Sequence, residues 1–257
     1  MITFVVWKWV SARYRVPYGD EHVVGMMHQL RAAYPKPHRF ICITDEPVEG
    51  VECFPIWKDL ADMPNPCSPP GTTHLPSCYR RLKIFDPAVT RAMGIEDGAP
   101  VCSMDLDNLL VGPIDGLMEM EPEADFCGWH GIGVWKKSVY CGAVWRFRAG
   151  RLPWLWSEFD PATSPQRCNE ERYFGTDQAW LSLRLMGKYP GWTPDEHGVL
   201  SYVVNLRGAH YGTGGMLPGH ARIVCFNGPR KPWHPEAWRE APWVKSFWPP
   251  RERSLPA

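Results

Sequence analysis

Two carboxylates two residues apart, Asp105 and Asp107, stand directly behind the apolar run Pro100–Met104 and ahead of Leu109-Leu110-Val111. A run of that length predicts a buried strand, so both acids come at a strand end, where open α/β sheets bind their ligands. Paired hard oxygens suit Mn²⁺ or Mg²⁺, and such a cation in turn suits a diphosphate. The competing reading of so short a pattern is a solvated pair of turn aspartates. Asp177 and Gln178 follow Gly175-Thr176 at the start of a helix with an apolar face, and Thr176 has the chemistry of its N-cap. Lys231 lies in Gly228-Pro-Arg-Lys-Pro-Trp, a stiff loop suited to holding an ammonium against a phosphate. Arg80, Arg81 and Lys83 cluster ahead of the carboxylate pair, and each reads more readily as a solvated helix charge. Asp45 closes another apolar run, although Thr-Asp-Glu-Pro is also a common turn. His74, His130, His210 and His220 show no metal-ligand spacing, and Gly212-Thr-Gly-Gly is too generic for a phosphate loop.

The elements that must position these groups alternate between strand and helix patterns, the signature of an α/β fold. Ile2–Trp7, Arg39–Thr44, Pro100–Met104, Ala124–Trp129, Val139–Phe147 and Arg222–Phe226 read as strands. Glu21–Tyr34 places Val23, Val24, Met27, Leu30 and Tyr34 at helical spacing before Pro35, and Ser77–Phe85 reads as a shorter helix. Between them runs a proline-rich stretch, 63–76. The tail from Gly228 mixes basic residues with tryptophans; beyond Trp238 it is expected to pack over the domain rather than bind a ligand.

The chain has 257 residues, with 28 Lys+Arg against 28 Asp+Glu, which removes the usual electrostatic case for a dedicated nucleic-acid binder. Hydrophobic residues at 44% and charged ones at 22% exclude a disordered chain, a collagen and a coiled coil. No apolar run approaches the roughly 20 residues that cross a bilayer. Met1–Val10 lacks a basic lead and a cleavage site, so it reads as a first strand. Nine cysteines, none in a C-x-x-C pair, point to buried free thiols in a reducing cytoplasm. One domain is expected over 1–257, with a nucleotide-binding half (1–110), an acceptor and sugar half (111–235) and a Pro/Trp-rich tail (236–257).

Asp105-Leu-Asp107-Asn-Leu-Leu-Val-Gly-Pro-Ile-Asp115-Gly-Leu resembles, position for position, the D-x-D signature of the nucleotide-sugar glycosyltransferases of GT-A fold, above all the glycogenin-like family 8. Three more stretches follow in that family's order. Trp7-Lys-Trp9, Tyr18 and Phe40-Ile-Cys-Ile-Thr-Asp45 are similar to the elements that hold base and ribose. Gly175-Thr-Asp177-Gln178-Ala-Trp is similar to the D-Q motif beside the transferred sugar. Cys225-Phe-Asn227-Gly228-Pro-Arg-Lys231-Pro-Trp is similar to the late loop that closes on the diphosphate.

The resemblance implies a single GT-A domain with a mixed central sheet, and a metal-dependent hexosyltransferase, retaining, with a UDP-sugar donor. The implied roles are Asp105 and Asp107 for the metal, Trp7, Tyr18, Asp45, Arg81, Asp105, Gly228 and Lys231 for the donor, and Asp177 and Gln178 for the sugar. The acceptor stays open among glycan, protein, lipid-linked sugar, small molecule and modified nucleobase. The chain departs from the family at the late motif, where a metal-binding His is usual next to the Phe. Here Cys225 and Asn227 flank Phe226, and Asn227 is the better oxygen ligand for manganese. Two other readings follow from the same residues: a non-catalytic carbohydrate- or nucleotide-binding relative, and a phosphohydrolase of the haloacid dehalogenase type. The second expects Thr or Val where Leu109 stands and its motif on a first strand.

Overall fold

The computed structural model describes residues 1–10, 18–60, 63, 78–130, 137, 139–207 and 215–248. The proline-rich stretch from 64 to 76 with His74, the His210 and 212–214 region, and Arg251 and Arg253 lie outside the described residues. Among the described residues, ten strands form two sheets: β1 (Ile2–Lys8), β2 (His38–Thr44), β3 (Glu52–Pro55), β4 (Pro100–Met104), β5 (Asn108–Leu110), β6 (Phe126–His130), β7 (Tyr140–Arg148), β8 (Gly191–Trp192), β9 (Val199–Ser201) and β10 (Ile223–Cys225). Eight α-helices among the described residues cover them: α1 (Asp20–Ala33), α2 (Pro87–Ala92), α3 (Asp115–Glu119), α4 (Trp154–Ser157), α5 (Ser164–Glu170), α6 (Asp177–Leu185), α7 (Pro194–His197) and α8 (Pro235–Glu240).

The larger sheet runs β3-β2-β1-β4-β7-β6-β8, parallel from β3 to β4 and antiparallel across β4–β7 and β7–β6. The chain leaves β1 for β2 on one side and β4 lies on the other, so the β1–β4 gap is a topological switch point. All seven residues of β1 are buried, because both sheet faces are covered. Its two-residue alternation divides the core. Phe4 and Val6 face α1 and α3 with Met26, Leu30 and Leu117, whereas Val5 and Trp7 face Tyr79, Leu82, Phe85, Trp145 and Trp180.

The expected helix over 77–85 is a 3₁₀ helix, Tyr79–Phe85, and the reason is local. Asp86 precedes Pro87, is held extended (ψ 117°) and caps α2 by accepting the Ala88 N–H at 2.8 Å, so the helix must restart there. Three residues per turn sort the side chains into stripes. Tyr79, Leu82 and Phe85 enter the core, with Phe85 stacked on Trp145 at 5.3 Å. Arg80 and Lys83 turn to Trp57 and Asp59, and Arg81 falls on the third stripe with the buried Ile84.

A smaller sheet, β5-β10-β9, was not legible in the sequence beyond its middle strand. Asn108 pairs with Cys225, and Phe226 N–H donates to the Asp107 carbonyl at 3.2 Å, so the late loop is stitched to the D-x-D by backbone. The tail wraps over the chain as expected, but it closes on α1. Trp248 stacks on His22 (5.4 Å, 22° between planes) and meets Trp233 at 5.4 Å. Truncation after Trp238 should therefore cost about 3–5 kcal/mol, the scale of deleting a buried aromatic residue with its neighbours. An unchanged urea midpoint in the truncated chain would show that the tail is no part of the core.

Candidate active site

The carboxyl ends of β1 and β4 and the start of antiparallel β7 meet at one sheet edge. Lys8 closes β1 with an ion pair to Asp20 at 2.6 Å, which anchors the α1 start beside the strand end. Asp45, at the end of β2, accepts the Val10 N–H at 2.7 Å and so holds the chain leaving β1. A cleft of about 80 Å³ opens here, lined by Trp7, Trp9, Tyr18, Arg81, Asp105 and Leu106 among others. Trp7 is fixed there by its indole N–H, which donates to Ser103 Oγ at 2.8 Å.

Asp105 and Asp107 lie in the turn between the two sheets. Asp105 N–H donates to Ala143 O at 2.9 Å, and the Asn108 amide donates to the same carbonyl at 2.8 Å, fixing the turn on β7. Leu106 between the acids is buried; the Asp107 side chain is also buried, and the Asp105 side chain is one-third exposed. Arg81 bridges the site. Its Nε donates to Asp177 Oδ2 at 2.8 Å, Nη2 donates to Gly142 O at 3.0 Å, and Nη1 donates to Asp105 Oδ1. A Cβ on Gly142 would stand 2.8 Å from the Arg81 guanidinium and 3.2 Å from Asp177, so only glycine admits this bridge.

Burial raises the Asp105 carboxyl to about 6; Arg81 pulls it down, and the charges of Asp107 and Asp177 push it further up. Three carboxylates thus share Arg81 and Lys231, with negative charge in excess. That donor set fits a hard divalent cation, which would relieve the repulsion between Asp105 and Asp107. Among the described residues, no three His, Cys, Asp or Glu side chains group to hold a metal ion. Cys225 does not qualify as a ligand: it is fully buried, and burial keeps its thiol well above the ordinary value. Asn227 lies beside it with its side-chain oxygen accepting from Ser201 Oγ at 2.7 Å.

Three expectations change. Asp177 does not line the cleft: its side chain is 2% exposed, and its oxygens go to Arg81 and to the Thr176 hydroxyl at 3.1 Å. Thr176 accordingly makes no side-chain cap; its hydroxyl also accepts from Cys78 N–H at 3.2 Å. Gln178 spends its amide on backbone, accepting from Gly142 N–H (3.2 Å) and donating to Phe174 O (3.1 Å). Both residues position the Arg81 bridge and the start of β7. Of the three clustered cations, only Arg81 reaches the cleft; the Arg80 guanidinium lies over Trp9, and Lys83 pairs with Asp59.

Lys231 joins Asp107 by an ion pair and donates to Phe226 O at 3.1 Å, and Tyr18 OH donates to Asp107 at 3.2 Å. Gly228, which begins the loop, has a positive φ of 154°. His22 was missed by the sequence reading. It packs between Tyr18, Trp233 and Trp248, and burial lowers its pKa. The available signal was its place at the start of an amphipathic helix just after Tyr18. His130 packs on Tyr140, and His220 lies by the Pro194 carbonyl, both away from the cleft.

No family model and no curated protein matches the chain. Solved structures do. The galactosyltransferase LgtC, solved with donor and acceptor sugar analogues, superposes with a TM-score of 0.60 over 95% of this chain and 94% of that one, at 14% identity. Mouse xyloside xylosyltransferase 1 gives 0.53 over 87% and 97%, at 15% identity. The glycosyltransferase GlyE of Streptococcus pneumoniae gives 0.57 over 96% of this chain and 60% of its own length, at 14% identity. The chain has the GT-A fold. No helix among the described residues is long and apolar enough to cross a membrane.

Replacing Arg81 by Met tests the bridge. It leaves Asp177 buried without its counter-charge and should cost about 3–5 kcal/mol. With the guanidinium gone, Asp105 should titrate above its value of about 6, as read by carboxyl carbon NMR. A variant of wild-type stability with an unmoved Asp105 would refute the bridge.

Proposed function

We propose that the chain is a glycosyltransferase that moves a hexose from a nucleotide-diphosphate donor, UDP-linked, to an acceptor, using Mn²⁺ or Mg²⁺ held by Asp105 and Asp107. One observation carries this reading: Asp105 and Arg81 line the cleft at the switch point of a GT-A fold, and Asp107, two residues on, is paired with Lys231 of the late loop. Chemistry at such a site requires the diphosphate to leave a sugar that gathers positive charge. A divalent cation between the two acids would take up the charge on that leaving group.

The chain's own residues supply the rest. Lys231 stands where it can give an N–H to a phosphate oxygen. Trp7, Trp9 and Tyr18 offer ring edges and a hydroxyl to base and ribose, with Asp45 holding the chain beside them. Arg81 faces the cleft and is oriented from behind by Asp177, so Asp177 acts on the sugar through the guanidinium rather than by contact. The enclosed charge network needs no reorganisation as the bond breaks, which is where such groups lower a barrier most. The resemblance supports retention of configuration at the anomeric carbon, which the proton coupling of the product sugar would test.

A non-catalytic binding relative is favoured by one observation, the burial of Asp177 behind Arg81. The phosphohydrolase reading has less support, since the D-x-D follows the fourth strand and not the first. Donor hydrolysis with Mn²⁺ separates the three: a transferase releases UDP, a phosphohydrolase attacks phosphomonoesters, and a binder does neither.

Two variants sharpen the assignment. Asp105→Asn should remove Mn²⁺-dependent UDP binding with the fold intact; UDP binding in the wild type that ignores Mn²⁺ would sink the metal role. Asp177→Asn should leave UDP affinity within about threefold and lower turnover about a hundredfold, the pattern of a group used in the transition state. An equal loss of both would make Asp177 purely structural.

A further inference from the structure

We propose that Lys231 is a cationic lock on the metal site: its ammonium holds Asp107 until a diphosphate draws it off, so metal and diphosphate bind cooperatively. The inference rests on the reading of Asp107 as a metal ligand. The Lys231–Asp107 pair is well shielded, with side chains 12% and 8% exposed, so its attraction is little screened by solvent or salt. The same oxygen, Asp107 Oδ2, also accepts from Tyr18 OH. A dication approaching this carboxylate meets an ammonium already in contact with it, and two cations crowded on one carboxylate repel. Free metal must therefore displace Lys231 or bind poorly.

A diphosphate removes the conflict from both sides. It offers the ammonium other oxygens, and its own oxygens can ligate the cation. Lys231 has three N–H donors, of which Asp107 and the Phe226 carbonyl use two. The Phe226 carbonyl can stay bonded while the ammonium turns from carboxylate to phosphate. Phe226 N–H remains on the Asp107 carbonyl throughout, so the loop keeps its register on the D-x-D. The neighbouring Arg230 is committed elsewhere, to Glu240 at 2.9 Å and Glu236 at 3.7 Å, and does not share this duty.

Mn²⁺ titration by electron paramagnetic resonance, first without nucleotide and then with UDP, tests the lock. Lys231→Met should bind free Mn²⁺ about tenfold more tightly than wild type, the scale of releasing a partly buried ion pair. Its UDP-induced gain in Mn²⁺ affinity should shrink by the same factor, because the coupling is reciprocal. Lys231→Arg, which keeps the charge, and Arg230→Met, which removes a charge that does not touch Asp107, should both stay within about twofold of wild type. Free Mn²⁺ affinity unchanged or weakened in Lys231→Met overturns the lock, as does equal tightening in Arg230→Met, which would assign the effect to loop charge. Absence of Mn²⁺ binding in wild type and Lys231→Met alike, with and without UDP, overturns the metal-ligand reading itself and the lock with it.

Discussion

A buried guanidinium has five N–H donors and one positive charge to satisfy, and Arg81 satisfies them with groups from three separate elements. Asp177 begins α6, Gly142 O belongs to β7, and Asp105 follows β4. Leaving any of these unpaired in the interior is costly, so the bridge dictates how the elements meet. It also explains several local choices. Residue 142 is a glycine because a Cβ would collide with the guanidinium. The helix that carries Arg81 is a 3₁₀ helix, which puts Arg81 on a different stripe from Arg80 and Lys83. Gln178 holds the start of β7 against α6, so the bridge closes without slack.

The second constraint comes from the join between the sheets. Asp105 is the last word of the large sheet, and Asp107 is the first of the small one. Backbone pairing of β5 with β10 brings the late loop to Asp107 from more than a hundred residues away, and Lys231 completes the contact. The tail then folds back so that Trp233 and Trp248 enclose His22 at the head of α1, close to Tyr18. Apolar packing on one side and ionic pairing on the other thus hold the same loop.

Much of this was legible along the chain because it depends on neighbours in sequence. Short continuous apolar runs marked β1, β2, β4 and β7, and period 3.6 with Pro35 marked α1. The D-x-D at a strand end and the stiff Gly-Pro-x-Lys-Pro loop named Asp105, Asp107 and Lys231 as chemistry-bearing. Strands of two to four residues, such as β3, β5, β8 and β9, carry too few positions for a period to emerge. The 3₁₀ geometry of Tyr79–Phe85 was hidden for a different reason: its apolar spacing fits three or 3.6 residues per turn, and the Asp86-Pro87 stop decides between them.

The sequence by itself determined the fold class, the strand that presents the two acids and the residue types able to meet a diphosphate, since periodicity and local turn chemistry act over a few residues. Tertiary structure alone decided what each group touches. Asp177 and Gln178 looked like sugar contacts, yet Asp177 faces inward because a buried arginine from another element needs its oxygens, and Gln178 spends its amide on the backbone of Gly142 and Phe174. Lys231 looked like a phosphate ligand, yet its partner here is Asp107, because β5 and β10 pair across the whole length of the chain between them. Electrostatic satisfaction in a low-dielectric interior is a property of the assembled fold, and no local pattern records it.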